Sequence, residues 1–301
     1  MKKDSFQDFE VHIVEDRYCF LHINFNDEKK FLLDFASYIF DEDNLYIYSK
    51  NFIEVDWIPD DNTYEILYNN IKFFLDEELI DIDNTKKIDE NKIPRNDKIG
   101  KLGEYILHIT LMKYFKYSCV IPKFTNITSH NKSANGSDTL FFDAIKNEIV
   151  FGESKLTNDI NSGIRKANKS LNNYPKLVKN EYKYFIKRIV ADYSMNLNRI
   201  FLSNFGKNIN EFDEIKDFLE HTNTKLVIPV SIVHGNGKKT SAEEFINELN
   251  KIKRKSINKS IDAKFLLLSF PIIDKNKFLK IAFEVAVQKY EEYKNKKRSR
   301  N

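Results

Sequence analysis

The chain has 301 residues, 42% of them hydrophobic and 14% aromatic, which supports a folded core and excludes wholesale disorder. Its longest apolar runs, Leu226 to Val233 and Phe265 to Phe270, are too short to cross a bilayer. No signal peptide is visible at Met1-Lys-Lys-Asp-Ser-Phe, so a cytoplasmic protein with no membrane partner is expected. The formal net charge of +3 hides an asymmetry: residues 1–90 carry nine Lys and Arg against 23 Asp and Glu, a balance of −14, and residues 91–301 carry 39 against 22, a balance of +17.

In chain order, Val11 to Val14 and Tyr18 to Phe25 read as strands and Phe31 to Phe40 as a helix. Leu45 to Tyr48 and Ile53 to Ile58 read as strands, and Tyr64 to Leu79 as a helix. Together these make a small acidic α+β domain over residues 1–85. Residues 86–98, inside a polar stretch from Asp81 to Asp97, read as a linker to a second unit over residues 99–301. That unit opens with a helix whose apolar positions 99, 102, 106 and 109 share one face. Glu104 and His108 lie on another face, one turn apart. Glu104 either reaches a nearby metal or favours the positive helix end, and His108 reads as a packed or surface histidine. A short strand around Ser118 to Ile121 and a polar loop from Asn126 to Ser137 follow.

Residues 136–155 then read as a β-hairpin. With the turn centred on Lys146 and Asn147, Ile145 faces Glu148, Leu140 faces Glu153 and Asp138 faces Lys155. Side chains alternate along a strand, so Asp138, Glu153 and Lys155 share one sheet face. Two carboxylates offer hard oxygen ligands to Mg²⁺, which binds through few protein groups plus a phosphate. Such a metal stabilises charge developing on phosphate oxygens and lowers the pKa of bound water, and a lysine two residues on points at the same phosphate. An acid two residues before a lysine also occurs at Asp27, Glu28, Glu90, Glu181, Glu214, Asp262 and Glu292. Loop or surface ion pairs suffice to explain those copies. Only Glu153 ends an apolar run and follows a turn whose other arm carries an aspartate on the same face. Asp262-Ala-Lys264 is the rival, but there the strand follows the motif.

Beyond the hairpin, a helical region runs from Asp159 to Tyr193 with a break near Pro175. Arg165, Lys166 and Lys169 on it read either as contacts to a nucleic-acid backbone or as a solvated helix face. A helix near Glu211 to Glu220, a strand Lys225 to Val233, a helix Ala242 to Lys253, a strand Lys264 to Phe270 and a helix ending at Tyr293 complete the order. Lys294 to Arg300 reads as a disordered basic tail. Cys19 and Cys119 form no CxxC pair, which argues against a zinc ribbon or a disulfide framework.

A helix bearing Glu104, a strand, a strand bearing Asp138, a strand bearing Glu153-Ser-Lys155, then a helix and a strand is the order of the PD-(D/E)xK nuclease core, and resembles it. The implied fold class is α/β, a restriction-endonuclease-like mixed sheet flanked by helices. The proline of that name is absent, since Gly136 and Ser137 precede Asp138. The segments Gly100-Lys-Leu-Gly-Glu104, Gly136-Ser-Asp138 and Phe151-Gly-Glu-Ser-Lys155 further resemble the HamA family of the Hachiman anti-phage defence system. The Abp phage-protection proteins share the domain.

The resemblance implies a defence effector that degrades DNA beside a superfamily 2 helicase, HamB-like. Asp138 and Glu153 would hold Mg²⁺, for which Mn²⁺ substitutes, Lys155 would be the catalytic lysine and Glu104 an auxiliary acid. Two other functions share the pattern: a stand-alone restriction or repair nuclease, and an inactive DNA-binding or scaffold subunit. The charge split adds the expectation that the acidic part covers the basic surface or docks the helicase.

Overall fold

The computed structural model describes residues 1–49, 63–64, 67–68, 71, 96–117, 139–143, 145–191, 212–237, 240–254 and 261–298. The chain begins with β1 (Lys2–Phe6), β2 (Phe9–Val14) and β3 (Arg17–His22), followed by α1 (Glu28–Ile39) and α2 (Glu42–Ser49). Helix α3 (Asn96–Ile109) runs into a π-helical turn, Thr110–Tyr114. Strands β4 (Thr139–Asp143) and β5 (Glu148–Thr157) precede α4 (Ile160–Leu171), α5 (Tyr174–Ala191) and α6 (Ile215–Thr222). Then come β6 (Lys225–His234), α7 (Ala242–Leu249), β7 (Ala263–Pro271) and α8 (Lys275–Arg298).

The seven strands form one mixed sheet in the order β1-β2-β3-β7-β6-β5-β4. The parallel stretch β3-β7-β6-β5 is flanked by the antiparallel pairs β1-β2-β3 at one side and β5-β4 at the other. Strands β6 and β7 are nearly continuous apolar runs because both their faces are covered. Alternation sorts the side chains. Val150, Leu156, Val227, Val233 and Leu268 pack against α1, α3 and α8, whereas Ile149, Phe151, Ile228, Ile232 and Leu267 pack against α4 to α7. The result is a sheet between two helical layers.

The sequence separated residues 1–85 from residues 99–301, yet β3 pairs with β7 in parallel, Cys19 beside Ser269. The N-terminal strands therefore extend the same sheet as the hairpin, and α1 packs on α8. Residues 96–98, assigned to the linker, form the first turn of α3. The acidic part meets the basic part through ion pairs: Glu28 with Lys277 at 3.0 Å, Glu42 with Lys296 at 2.7 Å, and Asp16 with Arg254.

Several expected elements differ. Residues 45–48 lie in α2, not a strand: Asp41 accepts from the Asp43 N–H at 2.8 Å, and Glu42 and Asp43 sit at the positive end of the helix. A good helix start thus overrides the β preference of Leu45-Tyr-Ile-Tyr48. Strand β1 was not anticipated, because its side chains are mostly exposed and polar. Helix α8 continues to Arg298, so Lys294 to Arg298 is helical, with Lys296 bridging Glu42 and Glu292. The expected strands at Ile53 to Ile58 and Ser118 to Ile121, and Cys119, lie outside the described residues.

The hairpin forms with a shifted register. Asp143 faces Glu148 and Leu140 faces Phe151, so the turn is centred between Ile145 and Lys146. The Asp143 carboxylate accepts from the N–H groups of Ile145 and Lys146 at 3.0 and 2.9 Å, and Asn147 takes the left-handed conformation at φ 51°. Ile145 is left 99% exposed at the tip. Because the loop still has an even number of residues, every side chain keeps its expected face.

Candidate active site

Strand β5 positions the candidate groups. It is ten residues long, but β4 pairs only with Glu148 to Gly152. Among the described residues, Glu153 to Thr157 are paired on one side alone, to β6. Glu153 and Lys155 therefore project from the part of β5 that runs past its β4 partner. By alternation they lie on the face of Phe151, the α4 side of the sheet.

The Glu153 side chain is 4% exposed and ion-paired with Lys155, whose side chain is 23% exposed and also donates to the Ser154 carbonyl at 2.9 Å. The acids of four other copies have other partners. Asp27 caps α1, Glu28 binds Lys277, Glu214 binds Lys179 and Glu292 binds Lys289 and Lys296. Lys264, of the rival motif, lies 3.5 Å from Glu148. The difference is geometric: residues two apart share a face on a strand and diverge on a helix.

Helix α3 brings Glu104 to the same stretch from the other face. Its Gly103 abuts Ser154, the residue between Glu153 and Lys155, and Leu156. Glu104 is ion-paired with Lys101 at 2.8 Å, both side chains less than a fifth exposed. His108, one turn on, is packed: its ring centroid lies 5.0 Å from that of Phe141, and burial pushes its pKa down to about 3. It is a neutral core histidine, the packed alternative. Asp138 lies outside the described residues.

Arg165, Lys166 and Lys169 are exposed on α4, which starts at Asp159, whose carboxylate accepts from Ser162 N–H at 2.8 Å. Arg165 donates to Ser162 Oγ at 2.9 Å. Between the start of α4 and α7 is a cavity of about 310 Å³ lined by Asp159, His234, Glu244, Phe245 and Glu248 among others. Among the described residues its lining has three carboxylates and no lysine or arginine. His234 bonds Ser269 Oγ through Nε2 at 2.8 Å, and burial lowers its pKa to about 3.

A buried carboxylate on a strand suits Mg²⁺, which takes one or two protein carboxylates and leaves its other positions to water and phosphate. Among the described residues no group of three or more His, Cys, Asp or Glu side chains gathers as a metal cluster. Glu153 is thus the described donor at this position.

The architecture is that of a mixed-sheet α/β protein with an acid and a lysine paired on one strand, β5. A family model described as HamA matches residues 4–286, and the chain belongs to the HamA family. That membership ties it to Hachiman anti-phage defence. No curated protein and no solved structure matches. No helix among the described residues is long and apolar enough to cross a membrane.

Proposed function

We propose that this chain is the nuclease effector of a Hachiman system, a PD-(D/E)xK enzyme that cleaves DNA phosphodiesters with Mg²⁺ and works beside a superfamily 2 helicase. The observation that carries the reading is the Glu153–Lys155 ion pair on the stretch of β5 that passes beyond β4. By the alternation expected from the sequence, Asp138 shares the face of Glu153, where it would supply a second carboxylate ligand.

In this reading Glu153 and Asp138 hold the ion, whose chemistry is charge stabilisation at the phosphate and acidification of water. Lys155 exchanges its present partner, Glu153, for the substrate phosphate and neutralises charge as it develops. Glu104, held against this stretch by the Gly103 contact, orients water at the edge of the site. The basic balance of residues 91–301 supplies affinity for a polyanion.

The test is plasmid cleavage in Mg²⁺ or Mn²⁺ by the full chain, alone and with its helicase. Glu153→Gln and Lys155→Ala should each reduce cleavage by about 10²-fold or more. Undiminished cleavage by either variant rejects the assignment.

A further inference from the structure

Helix α8 begins at Lys275, whose backbone N–H donates to the Gly235 carbonyl at 3.1 Å. The Gly235 N–H donates in turn to the Thr157 carbonyl at 3.3 Å. Thr157 is two residues beyond Lys155, so two successive backbone hydrogen bonds tie the start of α8 to the end of the strand that bears the site. The approach is close. A Cβ at Gly235 would lie 2.6 Å from the Ile273 carbonyl carbon and 2.7 Å from the Asp274 nitrogen.

Lys275 sits in an unfavourable electrostatic position. It occupies the positive end of a 24-residue helix whose first turn contains no acid. It is partly buried, and Lys166 of α4 lies within electrostatic reach; burial first, then Lys166, hold its pKa below the ordinary lysine range. Among the described residues neither lysine has a carboxylate partner. Lys277, two residues on, does have one in Glu28. The nearby Asp274 carboxylate is committed to the N–H groups of Asn276 and Lys277, at 2.9 and 3.0 Å.

The direction of Lys166 follows from its helix. Asn168 bonds Lys251 and Lys253, just after α7, at 3.0 and 2.7 Å. A step of two residues turns a helix by about 200°, so Lys166 faces the other flank. It also follows by one turn Gly163, which lies over Thr157. Lys166 thus lies near the end of β5, to which the start of α8 is tied through Gly235, itself part of the wall of the acidic cavity.

We propose that Lys275 and Lys166 form a phosphate subsite for the nucleic-acid backbone, holding a phosphodiester next to the one presented to Glu153 and Lys155. The location rests on the nuclease reading, but the binding does not. A backbone phosphate supplies the counter-charge that no described carboxylate gives to either side chain.

The experiment is fluorescence anisotropy of a labelled DNA duplex with the full chain, free of divalent metal, over a NaCl series. Lys275→Ala and Lys166→Ala should each weaken binding about 3- to 10-fold and reduce the log–log salt slope by about 0.9. Lys275→Arg should restore both, and Lys216→Ala on α6 should change neither. Affinity and slope for Lys275→Ala equal to the parent's overturn the subsite, even if Glu153→Gln abolishes cleavage. Weakened binding by Lys275→Ala in a chain that never cleaves DNA upholds the subsite and rejects the nuclease reading instead. Melting temperature checks folding: Lys275→Ala should melt no lower than the parent, since it relieves a like-charge contact.

Discussion

Gly103 of α3 and Ser154 of β5 meet so closely that a methyl group would be crowded: a Cβ at position 103 would lie 3.0 Å from Ser154 Oγ and 3.4 Å from Leu156 Cβ. This contact sets the height of α3 over the strand, and with it the position of Glu104. For Gly103→Ala two effects oppose. Helix propensity gains about 1 kcal/mol, and the crowded contact costs about 1 kcal/mol or somewhat more. Urea unfolding should therefore place the alanine variant within about 1 kcal/mol of the parent, while cleavage falls because the helix is displaced. Gly103→Leu should be destabilised by about 3 kcal/mol. Full cleavage by a folded leucine variant would remove any role for the close approach.

Glu153 and Lys155 should show strong thermodynamic coupling. Removing one partner of a buried ion pair costs about 3–5 kcal/mol, and solvent screening at the partly exposed Lys155 reduces this. Lys155→Met is expected to cost about 2 kcal/mol, and adding Glu153→Gln should recover most of it. Mg²⁺ should raise the melting temperature of the parent and of Lys155→Met, and leave Glu153→Gln unmoved. A shift of equal size in all three would place the ion elsewhere.

His108 and His234 give the fold an acid-sensitive stability. Burial holds both neutral, with pKa values down at about 3 against an unfolded value near 6.5. As pH falls below about 6.5 the unfolded chain takes up protons that the folded chain refuses until about 3, so stability rises with pH across this window. The loss should reach about 1 kcal/mol per histidine by pH 5.5. Urea midpoints measured against pH should give a shallower acid limb for His108→Asn or His234→Asn, by about one proton each. An unchanged slope would mean that the ring is already solvated or paired.

The hairpin, β6, β7 and the order of helices around them were legible because their apolar runs are long and bounded by turn residues. The common face of Glu153 and Lys155 followed from strand alternation and survived the register error. What set the true register was the Asp143 carboxylate capping two N–H groups of the turn, a local choice that the pattern of apolar residues does not distinguish from its neighbour. The pairing of β3 with β7 was not legible, because nothing local in either strand names a partner some 250 residues away. The meaning of Lys275 was hidden for a similar reason: in sequence it is one more lysine at a helix start, and only the fold places it next to Lys166.

That long-range pairing has a consequence for how the molecule comes into being. Strand β3 and its sheet neighbour β7 lie some 250 residues apart along the chain. The sheet cannot close until β7 has followed β3, and such distant pairing forms slowly. Removing the acidic segment would strip three strands and bare the apolar edge of β7, so truncation would destroy the fold before it could report on restraint. A sheet built this way is finished only after both β3 and β7, some 250 residues apart, have been made.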